Sequence, residues 1–288
     1  MKIGFIGAGR VGFSLGKFFA QGGVPLTGYY SRQRESAQEA ALFTHTRPYD
    51  SLASLVQESD ALFLTVPDRA ILPVYRSLED FELSEKQICH CSGVLTAGEA
   101  FPGIGQRGAC GYSIHPLFPI SSKYETYREL ADAFFCLEGT GPHLERWKSM
   151  LQSLGPTVQI LPAERKVRYH AACTIASNLV CALVQESLEL LETCGFSQEE
   201  GLRAITPLLR SNITHILQDG PIQALTGPVE RCDTATAVKH LACLPDRETQ
   251  LRYRTVSQKL VQMARQKHPE LDYGPLLACL KEEKEGSY

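Results

Sequence analysis

The chain begins with a short apolar run, Lys2-Ile3-Gly4-Phe5-Ile6, that leads directly into Gly7-Ala8-Gly9-Arg10-Val11-Gly12. This junction constrains the fold more than any other stretch. An amphipathic segment over 13–21 follows at once, giving the strand–turn–helix setting that a G-x-G-x-x-G phosphate fingerprint requires. In that setting Gly7 makes the tight turn off the strand. Gly9, lacking a Cβ, lets a pyrophosphate approach the backbone, and Gly12 lets the helix pack closely on the strand. Unpaired N–H groups at the helix start then face the phosphates. The spacing predicts a dinucleotide held by Gly7, Ala8, Gly9, Arg10, Val11 and Gly12. A ligand-free turn needing positive φ is the simpler use of the same glycines.

Downstream, two hydrophobic periods alternate. Strand-like runs fall at 2–6, 24–30, 61–65, 87–91, 109–114, 133–137 and 157–161, with helix-like stretches at 34–42, 51–57, 70–78 and 143–154. This alternation predicts a doubly wound, mostly parallel α/β sheet with helices on both faces. After Pro162 the strands stop. One helix over 163–193, then helices over 198–217, 233–243, 246–267 and 273–283, predict an all-α second domain, with the division at 161–162 and a polar tail over 282–288.

Bulk properties exclude several classes. With 29 basic and 32 acidic residues in 288, a net charge of −3 makes no electrostatic case for nucleic acid or an anionic membrane. No apolar run reads as approaching the roughly 20 residues of a membrane span. The N-terminus reads as a folded strand rather than a cleaved leader, so the cytoplasm is the expected location. The 10 cysteines include no C-x-x-C pair, which points to reduced, packed thiols and no metal site.

The second strand of a dinucleotide fold normally ends in an acid that binds the ribose 2′-OH of NAD. Here it ends Tyr30-Ser31-Arg32-Gln33-Arg34, with no carboxylate. Ser31 and Arg32 suit a 2′-phosphate, with Arg10 or Arg34 assisting, so NADP(H) is the expected cofactor. Helix capping by Ser31 and a solvated Arg32 are the structural alternative. The loop Thr65-Val66-Pro67-Asp68 follows the next strong strand and is expected to border the cofactor, as is Cys91-Ser92-Gly93 nearer the nicotinamide.

Five segments extend beyond a generic dinucleotide fold: Thr65-Val66-Pro67-Asp68, His90-Cys91-Ser92-Gly93, His115-Pro116-Leu117, Tyr169-His170-Ala171-Ala172 with Ser177-Asn178, and Leu225-Thr226-Gly227-Pro228-Val229-Glu230-Arg231-Cys232-Asp233. Over nearly the whole chain they resemble Rossmann-like proteins with domain of unknown function 2520, within the 6-phosphogluconate and hydroxyacid dehydrogenase-like superfamily. The resemblance implies an NADP-linked oxidoreductase and supplies no substrate. The family usually has Gly where Cys232 stands.

Chemistry is expected on the long helix, where His170, Thr174, Ser177 and Asn178 share about one quadrant. In the similar hydroxyacid dehydrogenases a Lys stands four residues before the Asn; here that position is Thr174, so another acid must serve. His170 is the first candidate for acid–base work, and packing between helices is its structural alternative. Asn178 is a candidate for orienting a carbonyl or carboxamide, and Ser92 lies beside the expected nicotinamide site. His115 at a strand end resembles the His-Pro of prephenate dehydrogenases and is a candidate substrate contact, with Arg231 as a carboxylate clamp. Together these features predict an NADP-dependent oxidoreductase acting on a small carbonyl, hydroxy acid or imine, dimeric through its helical domain. A non-catalytic NADP(H)-binding sensor is the alternative from another class.

Overall fold

The structure, a computed structural model, describes residues 1–281. The expected tail at 282–288 and the last residues of the expected 273–283 helix lie outside the described residues. The chain separates into two compact units, Met1–Ser177 and Asn178–Tyr288.

In the first unit β1 (Ile3–Ile6), α1 (Arg10–Gln21), β2 (Leu26–Tyr30), α2 (Arg34–Thr44), β3 (Arg47–Pro48), α3 (Leu52–Glu58), β4 (Ala61–Leu64) and α4 (Asp68–Arg76) follow one another. Then come β5 (Gln87–His90), α5 (Ala97–Ala100), β6 (Cys110–Leu117), β7 (Phe134–Gly139), α6 (Leu144–Ser153), β8 (Thr157–Ile160) and α7 (Lys166–Ala176). The strands form one sheet in the order β3-β2-β1-β4-β5-β6-β7-β8. All neighbours are parallel except β6 and β7. Strands β1, β4 and β5 are buried along their whole length, as helix-covered parallel strands must be. On one face Phe5 stacks on Tyr29 with ring centroids 5.0 Å apart, and Phe63 meets Trp147 edge-on at 5.5 Å. On the other, Leu55, Ile71, Leu78, Ile88 and Phe101 form a second buried cluster. Because strand order reverses between β1 and β4, their carboxyl ends open the crevice where such sheets bind ligands.

Seven strands were expected, and their positions hold within a few residues. The eighth, β3, has two residues at the sheet edge, and its Pro48 is tolerated only there. It is too short to leave a periodic signal.

The second unit contains α8 (Asn178–Thr193), α9 (Gln198–Asp219), α10 (Pro221–Ala224), α11 (Thr234–Cys243), α12 (Arg247–Lys267) and α13 (Gly274–Leu280). Its core is Val229, Ala237, Leu241, Val261, Ala264, Tyr273, Leu276 and Leu280. Ser197 opens α9 with a capping box to Glu200, and Asp246 caps α12 through Thr249.

Three expectations are corrected here. The single helix over 163–193 is interrupted at Ser177, whose φ of −124° and ψ of −75° separate α7 from α8. Residues 162–177, expected with the helical domain, group with the sheet, because α7 side chains bond to β6. The stretch Ala163–Thr193 is also long and apolar enough, by length and composition, to cross a membrane; the qualifying window has mean hydropathy 1.3 and is only 6% buried within the chain. Its scattered polar residues hid the run from a periodic reading. The exposed faces of α8 and α9 carry Leu179, Leu183, Leu202, Leu208 and Leu217, the last 81% exposed.

Candidate functional site

The fingerprint folds as its residue types dictate. Gly7 sits at φ +108°, and an added Cβ would stand 2.7 Å from the Thr65 carbonyl oxygen. At Gly12 an added Cβ would come 2.6 Å from the Gly7 carbonyl and 2.7 Å from Thr65 Oγ1, so α1 lies against the β1 and β4 loops. Thr65 Oγ1 donates to the Gly7 carbonyl at 2.8 Å, tying the two loops together. Gly9 differs: a Cβ there would meet nothing within 4 Å. It is the N-cap of α1, makes no side-chain cap, and the first turn holds no acid. The helix therefore presents its free N–H groups and positive end to open space.

That space is a cavity of about 730 Å³ within the first unit. Gly7, Ala8, Gly9, Ser31, Arg32, Thr65, Val66 and Pro67 line it, and Leu52, Ala70 and Val74 make an apolar wall. The volume suits a cofactor-sized ligand. Ser31 and Arg32 stand where β2 ends, and Arg32 is exposed. Arg34 is committed to Asp50 at 2.9 Å. Arg10, Val11, Gly12 and Asp68 support the cradle without lining the cavity.

Lys123 also lines this cavity. Its segment is anchored across α1 by Ser14 Oγ, which donates to the Ser122 carbonyl at 3.2 Å. The Lys123 ammonium lies 4.6 Å from the Phe13 ring centre and 3.0 Å from Glu39 Oε2. No sequence signal marks a loop cation brought across so many residues.

A second cluster joins β5, β6 and α7. Ser92 Oγ donates to Asp68 Oδ2 at 2.7 Å and accepts from the backbone N–H groups of Val94 and Leu95, so this hydroxyl closes the turn after β5. A Cβ on Gly93 would overlap the His170 ring and come within 2.9 Å of His115 Nε2. Two imidazoles thus pack on one glycine, with ring centroids 6.2 Å apart. His115 Nδ1 pairs with the Tyr169 hydroxyl at 2.8 Å. Lys166 is 2% exposed and donates to Ser113 Oγ, which itself donates to the Ser92 carbonyl at 3.2 Å.

Burial sets the protonation states. Desolvation first, then the Lys166 and His170 charges, bring His115 down to about 4. Desolvation and Lys166 bring His90 to about 3. Lys166 falls to about 8, again chiefly by desolvation. Burial raises the Glu138 carboxyl, while a bond from the Ala97 N–H at 2.7 Å opposes the shift. Near neutrality both histidines are uncharged and Lys166 is the buried cation.

The structure brings together His170, His115, Gly93 and the Ser92 turn. His115 lies inside β6, paired with Cys136 of β7, rather than past a strand end at 114. Thr174 Oγ1 bonds back to the His170 carbonyl at 3.1 Å along its own helix. Asn178 begins α8 and Arg231 is exposed beside Asp233, both in the second unit. A lysine stands two turns before position 174, the enclosed Lys166. Its signal was legible: 166, 170 and 174 are spaced by four on one helical face. Among the described residues no group of side chains could hold a metal ion.

The motif at 225–233 is largely architectural. Tyr273 OH donates to the Glu230 carbonyl at 2.6 Å, His268 Nε2 meets the Glu230 carboxylate at 2.7 Å, and Asp233 caps α11 through Thr236. Cys232 holds φ +60°, which explains why glycine suits that position.

Comparison with known proteins agrees with this architecture. Residues 133–260 match the family described as domain of unknown function 2520, and residues 2–91 match NADP oxidoreductase coenzyme F420-dependent. No curated protein matches the chain. Among solved structures, protein TM1727 from Thermotoga maritima is 25% identical with TM-score 0.75, covering 92% of this chain and 99% of its own. Protein BF3122 from Bacteroides fragilis is 21% identical with TM-score 0.70, covering 91% and 98%. A reductive aminase from Aspergillus terreus, in complex with NADPH and ethyl-5-oxohexanoate, is 16% identical with TM-score 0.61, covering 97% and 92%. The chain thus has a Rossmann-like fold, with residues 133–260 similar to the family of domain of unknown function 2520 and residues 2–91 similar to the nucleotide-binding unit of NADP oxidoreductases.

Proposed function

We propose that this chain is an NADP(H)-dependent oxidoreductase that transfers hydride to or from a small imine or carbonyl compound. One observation carries the reading: the cavity at the β1–β4 crevice joins an uncapped helix N-terminus to Ser31 and Arg32, where an NAD site would place a carboxylate. Gly9 and the α1 N–H groups would hold the pyrophosphate, Arg32 and Ser31 the 2′-phosphate, and Leu52, Val66 and Val74 the adenine. Lys123, paired with Glu39, would border the same cavity. When bound, the cofactor supplies the hydride; the protein orients it and manages the proton. His170 is the proposed proton donor, held by Gly93 and His115, and Ser92 fixes the loop beside it. The fold shared with a reductive aminase makes imines the first substrates to try.

We also propose a cytoplasmic homodimer. A second copy would cover the apolar faces of α8 and α9, which the chain itself leaves exposed.

The test is NADPH oxidation across a panel of cyclic imines, ketone–amine mixtures and keto acids. Turnover on any imine or carbonyl supports the proposal. Tight NADPH binding with no turnover on the whole panel favours the sensor reading, which the fully engaged Ser92 hydroxyl and the absence of Lys at 174 keep in view.

A further inference from the structure

We propose that Lys166 is a positioning residue of this site: its buried ammonium, tied to Ser113 on the strand face that also carries His115, registers α7 on β6 and sets the field at the His115 ring. The inference rests on the proposed function only for the use made of that imidazole.

A lone ammonium is expensive to bury, and lysine is seldom enclosed without a counter-ion. Lys166 is 2% exposed, yet no carboxylate lies within ion-pair distance of it among the described residues. Among the described residues one oxygen, Ser113 Oγ, accepts from its three donors. Glu138 on β7, Asp68 on α4 and the thiols of Cys136 and Cys91 act on it only through their fields. A helix with so many exposed positions had simpler places for a lysine.

The placement follows from two periodicities. Lys166, Tyr169 and His170 share a face of α7. Ser113 and His115 share a face of β6. Lys166 grips Ser113, and Tyr169 grips His115, so the helix is registered on the strand at two points. The charged or titratable neighbours disfavour a proton on His115 or are neutral: Lys166 and His170 on α7, His90 on β5, the Tyr169 hydroxyl, and Cys136 opposite on β7. The uncharged ring stays packed against Gly93 and His170. An imidazolium there would repel both Lys166 and any proton carried by His170.

The experiment is a pH titration of the histidine ring nitrogens by NMR, on the full chain without cofactor or substrate. In the wild type His115 should show no protonation step near pH 6.5 and a small shift step near pH 8, as Lys166 loses its proton. Lys166→Met should raise the His115 midpoint by about one unit, and Lys166→Arg should leave it low. A wild-type His115 that titrates near pH 6.5 overturns the proposal without any variant. So does a folded Lys166→Met protein with an unshifted His115. Neither readout depends on turnover, so failure of the proposed activity and failure of this inference are separately visible.

Discussion

At the scale of single residues, two positions show how closely backbone and side chain are matched. Gly93 has no room for a Cβ, because His170 and His115 already occupy that space. Gly93→Ala should cost about 1–3 kcal/mol or displace His170, read as a lower urea midpoint together with lost turnover. An unchanged midpoint and activity would contradict the packing. Cys232 shows the reverse mismatch. Its left-handed φ of +60° costs a side-chain-bearing residue roughly 1–2 kcal/mol, against roughly 0.5–1 kcal/mol for glycine's extra chain entropy. Cys232→Gly should therefore stabilise the protein by about 0.5–1 kcal/mol, less the weak contact of Cys232 Sγ with the Asp272 carbonyl. A lower melting temperature would refute this. Gly7 and Gly12 were legible because the motif prescribes their geometry. Lys123 and the two imidazoles on Gly93 were not, since both arise from contacts distant in sequence.

At the scale of elements, the register of α7 on β6 creates a pH dependence. His115 and His90 are held uncharged, at about 4 and about 3, whereas unfolded histidine titrates near 6.5. The unfolded chain thus binds more protons below pH 6.5, and stability should fall as pH drops from about 6.5 toward 4 by a few kcal/mol. Lys166 titrates at about 8 when folded and near 10.4 when unfolded, so its share of stability rises with pH from about 8 to 10.4. Urea unfolding at fixed pH checks both limbs; His115→Gln should flatten the acid limb, and an unaltered slope would contradict the assignment. The parallel strands were readable because their apolar runs are continuous and bounded by helical periods. The break at Ser177 was not, since no Gly or Pro marks it and both flanking segments have helical composition. The same uniformity concealed that α7 belongs with the sheet: only the buried bonds of Lys166 and Tyr169 decide it.

At the scale of the whole molecule, the proposed dimer would cover the exposed leucines of α8 and α9. Light scattering on the eluted protein should give twice the chain mass, and Leu208→Glu with Leu217→Glu should give monomer. A monomeric wild type would remove the dimer from the proposal while leaving the cofactor site untouched. That site is the central claim, and calorimetric titration of NADPH and NADH tests it most directly. Wild-type protein should bind NADPH far more tightly than NADH. Arg32→Ala should weaken NADPH about tenfold to a hundredfold, the loss of one charge-assisted phosphate contact of about 1.5–3 kcal/mol, and leave NADH nearly unchanged. Equal affinities in the wild type, or an Arg32→Ala variant that still prefers NADPH to the same degree, would contradict it.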